Sequence, residues 1–381
     1  MTTIANARQL FTTVTEDHRL VLSIEPLEVP APAPDEVVVE MRATPINPSD
    51  LGLLLAPADM ESVRRETISG HPALVAEVKP EMRGFVAARL GKKLSAGNEG
   101  AGVVVAAGAS DAARALLGKT VTLVGGMMYR THRVMKAREA LPLPDGATPA
   151  EGASLFINPM TVQAFLETMR AEGHSAIVHT AAASNLGQML AKLCRKEGVP
   201  LVAIVRSDAQ RAILAELGVE HIVDTSKEGS MRALVAALAA TGATLGFDAI
   251  GGGDMADRIL IAMEQAQLSR GQAPGAYGTP VHKQVYVYGR LDTGPTTLTP
   301  SYGLYWGVGG WLVTPWLQRV GLERMMEMRR FAIEERNGIF ASRYTDTIGL
   351  DLMIDPEVAR AYQRKATGQK YLVDPSRAAG A

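Results

Sequence analysis

Ser175-Ala-Ile-Val-His-Thr-Ala-Ala-Ala-Ser-Asn-Leu-Gly187-Gln-Met-Leu190 is an apolar run that enters a turn of small residues and leaves as a helix. Ala176 to His179 reads as a buried strand, and the turn after it contains only residues small enough for backbone amides to approach an anion. A helix from about Leu186 then points the positive end of its dipole at that anion, the arrangement that grips the pyrophosphate of a dinucleotide. The glycine fingerprint of such turns, G-x-G-x-x-G, is degenerate here, its three positions holding Ala182, Ser184 and Gly187. Ala182, Ser184, Asn185, Leu186 and Gly187 are the candidate phosphate-binding residues.

Val199-Pro-Leu-Val-Ala-Ile-Val-Arg206 repeats the buried-strand pattern. Dinucleotide folds selective for NAD place a carboxylate about 20 residues beyond the last glycine, where it binds the ribose hydroxyls. This chain has Arg206 there. A carboxylate repels an adenosine 2′-phosphate, whereas a guanidinium grips it through paired charge-assisted bonds, so the expected cofactor is NADPH. Ser207 can donate to the same phosphate, and Arg211 follows one helical turn later. The alternative is that Arg206 caps a strand at the surface and Arg211 is an ordinary helix-face charge.

A chain of 381 residues is too long for one ordinary core and implies two domains. A net charge of −1 gives no polyanion-binding signature, which argues against nucleic acid as a partner. A single cysteine, Cys194, excludes an intramolecular disulfide or a cysteine-based zinc cluster and suits a reducing cytoplasm. No stretch reaches about 18 uninterrupted apolar residues, and the N-terminus lacks the apolar segment of an export signal, so no membrane association and a cytoplasmic location are expected.

Up to about residue 155 the chain reads as short strands at Leu20 to Ile24, Glu36 to Ala43, Gly100 to Ala107, Thr120 to Val124 and Thr131 to Met135, punctuated by proline and glycine. The rhythm then changes. Strand patterns at 176–179, 201–205, 221–223, 245–250 and 284–288 alternate with helical ones at 186–197, 208–217, 229–240 and 254–267, the signature of a parallel sheet. Cofactor belongs at the carboxyl ends of such strands, which adds Gly251 and Tyr288 to the candidate contacts. From about Gly338 short strand-like pieces return, and Lys370-Tyr-Leu-Val is expected to pair with the first domain.

This order resembles the medium-chain dehydrogenase/reductase superfamily, in its zinc-independent NADPH:quinone oxidoreductase and 2-enoyl thioester reductase branches. The blocks that carry the likeness are Pro45-Ile-Asn-Pro-Ser-Asp50, Gly97-Asn-Glu-Gly-Ala-Gly-Val103, Leu143-Pro-Asp-Gly146, Phe156-Ile-Asn-Pro-Met-Thr161, Ala181 to Gln188, Gly309-Gly-Trp-Leu312 and Gly368-Gln-Lys370, spanning nearly the whole chain. The resemblance implies an α/β protein with a Rossmann-type doubly wound parallel sheet over 156–337. A β-rich GroES-like catalytic domain would be formed by 1–155 and 338–381, with the chain a homodimer. It also places Asn47 near the nicotinamide and adds Asn158, Thr161 and Lys370 to the cofactor contacts. From the residues alone, Asn47 to Asp50 is a turn whose side chains bond nearby backbone, and Asn158-Pro159 is an N-cap with proline at the first helical position.

In the zinc-dependent branch, cysteine and histidine ligands stand where this chain has Asn47 and Asn98. Neutral amides are poor zinc ligands, so no catalytic metal is expected. Without a Lewis acid to polarise a carbonyl, the expected reaction is hydride donation to an acceptor that is already electrophilic, a quinone or other conjugated carbonyl. Two features depart from the family pattern. Enoyl thioester reductases carry a proton-donating tyrosine soon after the Asn-Pro-Ser-Asp block, yet this chain has no tyrosine before Tyr129. Tyr129 is the candidate replacement, with Tyr288, Tyr302 and Tyr305 as further choices. The interval from Asp50 to Glu99 is also long, with short helices expected in Met60 to Glu66 and Pro80 to Arg89, and reads as a substrate lid, an oligomer contact or inert decoration. Tyr302 to Trp316 holds all three tryptophans, either lining an acceptor pocket or packing a core. A 2-enoyl thioester reductase and a non-catalytic NADPH-binding sensor or scaffold remain as alternative readings.

Overall fold

A computed structural model of the chain describes residues 4–364 and 368–377. It divides into two compact units, Met1–Ile157 with Ala332–Ala381, and Asn158–Phe331.

The first unit begins with β1 (Arg8–Val14), β2 (Arg19–Pro26), β3 (Glu36–Pro45), β4 (Arg64–Ile68), β5 (His71–Glu77), a one-turn helix α1 (Arg83–Val86), β6 (Lys93–Ser95) and β7 (Glu99–Ala107). It continues through α2 (Asp111–Arg114), β8 (Thr120–Val124), β9 (His132–Lys136), β10 (Leu141–Pro142) and α3 (Pro149–Gly152). Five strands form an antiparallel sheet in the order β4-β5-β2-β1-β6. In the second sheet β3 pairs antiparallel with both β7 and β9, which its valine-rich run suits because both faces of the strand are covered.

One expectation fails in the interval between Asp50 and Glu99. Met60 to Glu66 is not a helix: from Arg64 the chain forms β4, joined to β5 by Ser69 (φ 51°) and Gly70 (φ 82°). Two successive residues with positive φ make the hairpin turn that matches strand twist, and this local geometry outweighs any helical tendency. Within the interval Ala73 to Ala76 of β5 are fully buried and pair with β2, so it is built into the first sheet. Pro80 to Arg89 is helical as expected, in three short turns.

The second unit opens with α4 (Ile157–Ala171), then alternates β11 (Ile177–His179), α5 (Asn185–Glu197), β12 (Leu201–Val205), α6 (Asp208–Glu216), β13 (His221–Asp224), α7 (Ser230–Thr241) and β14 (Leu245–Asp248). It closes with β15 (Gly251–Gly253), α8 (Met255–Ser269), β16 (Lys283–Val287), β17 (Asp292–Thr296), β18 (Trp306–Gly310) and α9 (Val313–Glu334). Six of these strands make a wholly parallel sheet in the order β13-β12-β11-β14-β16-β18. Numbered within the unit this is 3-2-1-4-5-6, the doubly wound order whose direction reverses beside β11. The three tryptophans pack into this unit. Trp306 meets Tyr302 edge-on at 4.9 Å, Trp311 meets Phe165 at 4.8 Å, and Trp316 is buried.

The chain then returns to the first unit through β19 (Asp346–Ile348), α10 (Leu350–Met353), α11 (Pro356–Gln363) and β20 (Tyr371–Val373). The last strand pairs with the end of β3, as expected for Lys370-Tyr-Leu-Val. No helix among the described residues is long and apolar enough to cross a membrane.

Candidate active site

The turn after β11 is shaped by two backbone constraints. Ala181 is held at φ 49°, a conformation that costs a non-glycine residue free energy. At Gly187 an added Cβ would lie 2.2 Å from the Ala182 carbonyl oxygen, so only glycine lets the helix start this close to the turn. The left-handed residue therefore stands one place before Ala182, the position aligned with the first glycine of the fingerprint. Ser184 caps α5 by accepting from the Gly187 N–H at 3.1 Å.

Beside this turn, the buried Asp248 carboxylate at the end of β14 accepts from the Thr180 hydroxyl at 2.7 Å and from the N–H groups of Ile250 and Gly251, each at 3.0 Å. These bonds fix the loop leaving β14 with Gly251 at φ 85°, against the loop leaving β11. An added Cβ at Gly289 would lie 2.5 Å from the Ala249 carbonyl oxygen, so the loop after β16 is pressed against it as well. Asp248 and Thr180 are positioning residues that the sequence pattern does not single out, because neither belongs to the glycine motif.

Arg206 follows β12 directly and is exposed, and among the described residues no hydrogen bond or ion pair holds its guanidinium. Ser207 caps α6, accepting from the Gln210 N–H, which leaves its own hydroxyl proton to donate elsewhere. Arg211 is tied to β13 by a 2.7 Å bond to the Ile222 carbonyl. Asn158 and Thr161 are buried in the first turns of α4. Because the helix starts at Ile157, Asn158 lies inside it rather than at the N-cap, with Pro159 still in the first turn where no N–H is missed. The Tyr288 hydroxyl bonds Nε2 of the fully buried His179 at 2.8 Å.

In the first unit, the Asn-Pro-Ser-Asp turn follows β3. The Asp50 carboxylate accepts from the backbone N–H of Asn47 at 2.8 Å and of Asn98 at 3.0 Å. The Asn47 amide donates to Glu99 at 2.7 Å, and the other Glu99 oxygen accepts from the N–H groups of Phe156 and Ile157 at 2.8 and 2.9 Å. All three side chains are almost fully buried. Burial pushes the Asp50 carboxyl up to about 7, and it raises Glu99 as well, against the pull of Lys370. Lys370 itself is lowered to about 8, desolvation outweighing the neighbouring Glu99 and Asp50 carboxylates.

Tyr129 does not behave as a free proton donor. It is 1% exposed inside the hydrophobic core of the first unit, and its hydroxyl donates to the Pro45 carbonyl at 3.0 Å. Burial and the nearby Asp50 carboxyl raise its pKa well above the usual value, and its bond to Pro45 braces the turn. Tyr302 is fully buried in the core of the second unit, and Tyr305 is exposed.

No family model matches the chain. It is 27% identical over 206 residues to the rat (Rattus norvegicus) synaptic vesicle membrane protein VAT-1 homolog, a match covering 53% of this chain and 44% of that protein. The mitochondrial enoyl-[acyl-carrier-protein] reductase of Xenopus tropicalis is 26% identical over 211 residues, covering 53% and 52%. These matches span about half the length of the curated relatives. Among solved structures, a provisionally named NADPH:quinone reductase of Mesorhizobium loti aligns with a TM-score of 0.71 at 23% identity, over 98% of this chain and 100% of that one. The Escherichia coli quinone oxidoreductase complexed with NADPH aligns with a TM-score of 0.67 at 15% identity, over 97% and 100%. At these identities the likeness is one of fold, the two-unit α/β architecture that those solved reductases share with this chain.

In terms of that fold, the first unit is the GroES-like domain and the second the Rossmann domain. Among the described residues no three histidine, cysteine, aspartate or glutamate side chains are placed to hold a metal ion. At the Asn47 position the amide nitrogen faces Glu99 as a donor, and the two acidic side chains beside it already accept two or more N–H groups each.

Proposed function

We propose that the chain is an NADPH-dependent, metal-free reductase of small electrophilic acceptors, a quinone or another conjugated carbonyl. The observation that carries this reading is the second unit's pair of features: a turn after β11 that only glycine at 187 permits, and an uncommitted Arg206 where a carboxylate would select NAD. The residues present fit the dinucleotide. The N-terminus of α5 and the turn from Ala182 to Gly187 would hold the pyrophosphate, and Arg206 with Ser207 the 2′-phosphate. When bound, NADPH supplies the hydride that reduces the acceptor.

Asn47 is the residue of the first unit proposed to orient the acceptor or the nicotinamide, its amide fixed by Glu99. Metal independence rests on the donor set: a neutral amide at 47, and carboxyl groups at 50 and 99 that already accept two and three N–H bonds respectively. The enoyl thioester is the second acceptor class considered, favoured by the 26% identity to an enoyl-[acyl-carrier-protein] reductase. Homodimerisation is proposed through β18, the edge strand of the parallel sheet, flanked by exposed Leu304, Tyr305 and Leu312.

Titration of the purified chain with NADPH and with NADH tests the cofactor reading. Tighter binding of NADPH by about tenfold or more supports it, and equal affinity overturns it. Binding of NADPH without oxidation by any acceptor would favour the sensor reading.

A further inference from the structure

The sequence offers no tyrosine at the family's proton-donating place, and Tyr129 is committed to the Pro45 carbonyl. Reduction of a conjugated carbonyl still requires a proton. Addition of hydride, two electrons with one hydrogen nucleus, to the acceptor leaves an anion that becomes the neutral product only when one proton is added.

A second set of polar groups stands in the first unit; the resemblance assigns Lys370 alone among them, as a cofactor contact, and leaves Ser154 and Tyr344 without a role. Lys370 Nζ donates to Ser154 Oγ at 2.9 Å, and Ser154 Oγ lies 2.8 Å from the Tyr344 hydroxyl. Lys370 Nζ also sits over the Tyr344 ring, 5.4 Å from its centre. Ser154 is 2% exposed, and Lys370 and Tyr344 are partly buried, so the contacts are shielded from bulk water. The charged groups facing Lys370 are Glu99 and Asp50. The three residues come from segments 190 and 216 positions apart, brought together when the chain returns to pair β20 with β3.

We propose that Lys370, Ser154 and Tyr344 form a proton-delivery chain that protonates the reduced acceptor. The proposal rests on the reductase reading above. The ammonium of Lys370 passes a proton to Ser154 Oγ as the serine gives its own to the tyrosine oxygen and the tyrosine gives its own to the acceptor anion. The balance is one proton out, with Lys370 left as a neutral amine that regains a proton from water. Lys370 suits the task because desolvation brings its proton to about pH 8, while Tyr344, raised by burial, holds its proton until a stronger base is present. Lys370 and Ser154 act through Tyr344 and are positioning residues.

The test compares wild type with Ser154→Ala, Tyr344→Phe, Lys370→Met and Lys370→Arg, using an enone and a benzoquinone as acceptors. The wild-type rate with the enone is expected to fall as pH rises through about 8. Tyr344→Phe and Lys370→Met should lose about a hundredfold with the enone. For Tyr344→Phe the quinone should be affected far less, because its hydroquinone anion is stabilised by conjugation and takes a proton from water. Lys370→Arg keeps the charge but cannot deprotonate in this range, so it should remove the limb near pH 8. In the cofactor-free protein, the pH dependence of Lys370 acetylation, read by mass spectrometry, should give a midpoint near 8 that moves in Ser154→Ala. Wild-type turnover with an unchanged enone pH limb in Tyr344→Phe and Lys370→Arg, or an ordinary lysine midpoint indifferent to Ser154, overturns the chain alone. Absence of turnover with every acceptor overturns the reductase reading and the chain with it.

Discussion

At the scale of single residues, the account depends on Arg206. An exposed guanidinium with no partner among the described residues loses little by binding a phosphate and gains paired charge-assisted bonds. Arg206→Ala is therefore predicted to weaken NADPH binding by about 1.5–3 kcal/mol, roughly tenfold to a hundredfold, with NADH unaffected. Equal weakening of both, measured by titration, would remove the phosphate role. His179 makes a separate prediction for stability. It is fully buried beside Phe165 and Tyr288, and burial pushes its pKa down to about 3. As pH falls below the unfolded value of about 6.5, the unfolded chain takes up a proton that the folded one refuses, so folding weakens. Between pH 6.5 and 5 this costs about 2 kcal/mol. The raised Asp50 acts in the opposite direction, so the check is a difference. Denaturant unfolding at pH 7 and pH 5 should show wild type losing about 2 kcal/mol more than the double variant His179→Phe, Tyr288→Phe. Equal losses would contradict a neutral buried imidazole.

At the scale of elements, the alternating second unit was largely legible because strands and helices alternate in its sequence and two of its helices carry side-chain caps. Ser184 and Ser207 cap α5 and α6, and Gly198 ends α5 in the left-handed conformation at φ 64°. The strand patterns there differ from the observed strands by at most two residues at an end. Legibility failed at β4, whose Arg-Arg-Glu-Thr-Ile sequence has no apolar alternation, because its conformation is decided by pairing with the apolar β5. β1 is likewise absent from the strands expected from sequence. The long helix α9 is interrupted at Gly321 (φ 87°, ψ 169°). That conformation is open to glycine and strained for residues with a Cβ. Gly321→Ala is predicted to destabilise the protein by about 1–3 kcal/mol, read from thermal or denaturant unfolding. A neutral effect would mean that α9 can straighten at no cost.

At the scale of the whole molecule, the fold class follows from the strand order and from the return of the last segment to β3, both visible in outline as sequence blocks. The contacts among Ser154, Tyr344 and Lys370 had no such signal, since no local pattern links residues separated by 190 and 216 positions. Sequence spacing locates groups carried by one turn, as at Ala182 to Gly187, and is silent about groups joined only by topology. The central claim is that the chain reduces an electrophilic acceptor with NADPH and without metal. It is tested most directly by NADPH consumption in chelator-treated protein, against benzoquinones, naphthoquinones, enones and crotonyl thioester, with NADH in parallel. The account predicts turnover of a quinone or enone that prefers NADPH and survives chelation. Turnover that prefers NADH, or that is abolished by chelation and restored by zinc, would contradict it.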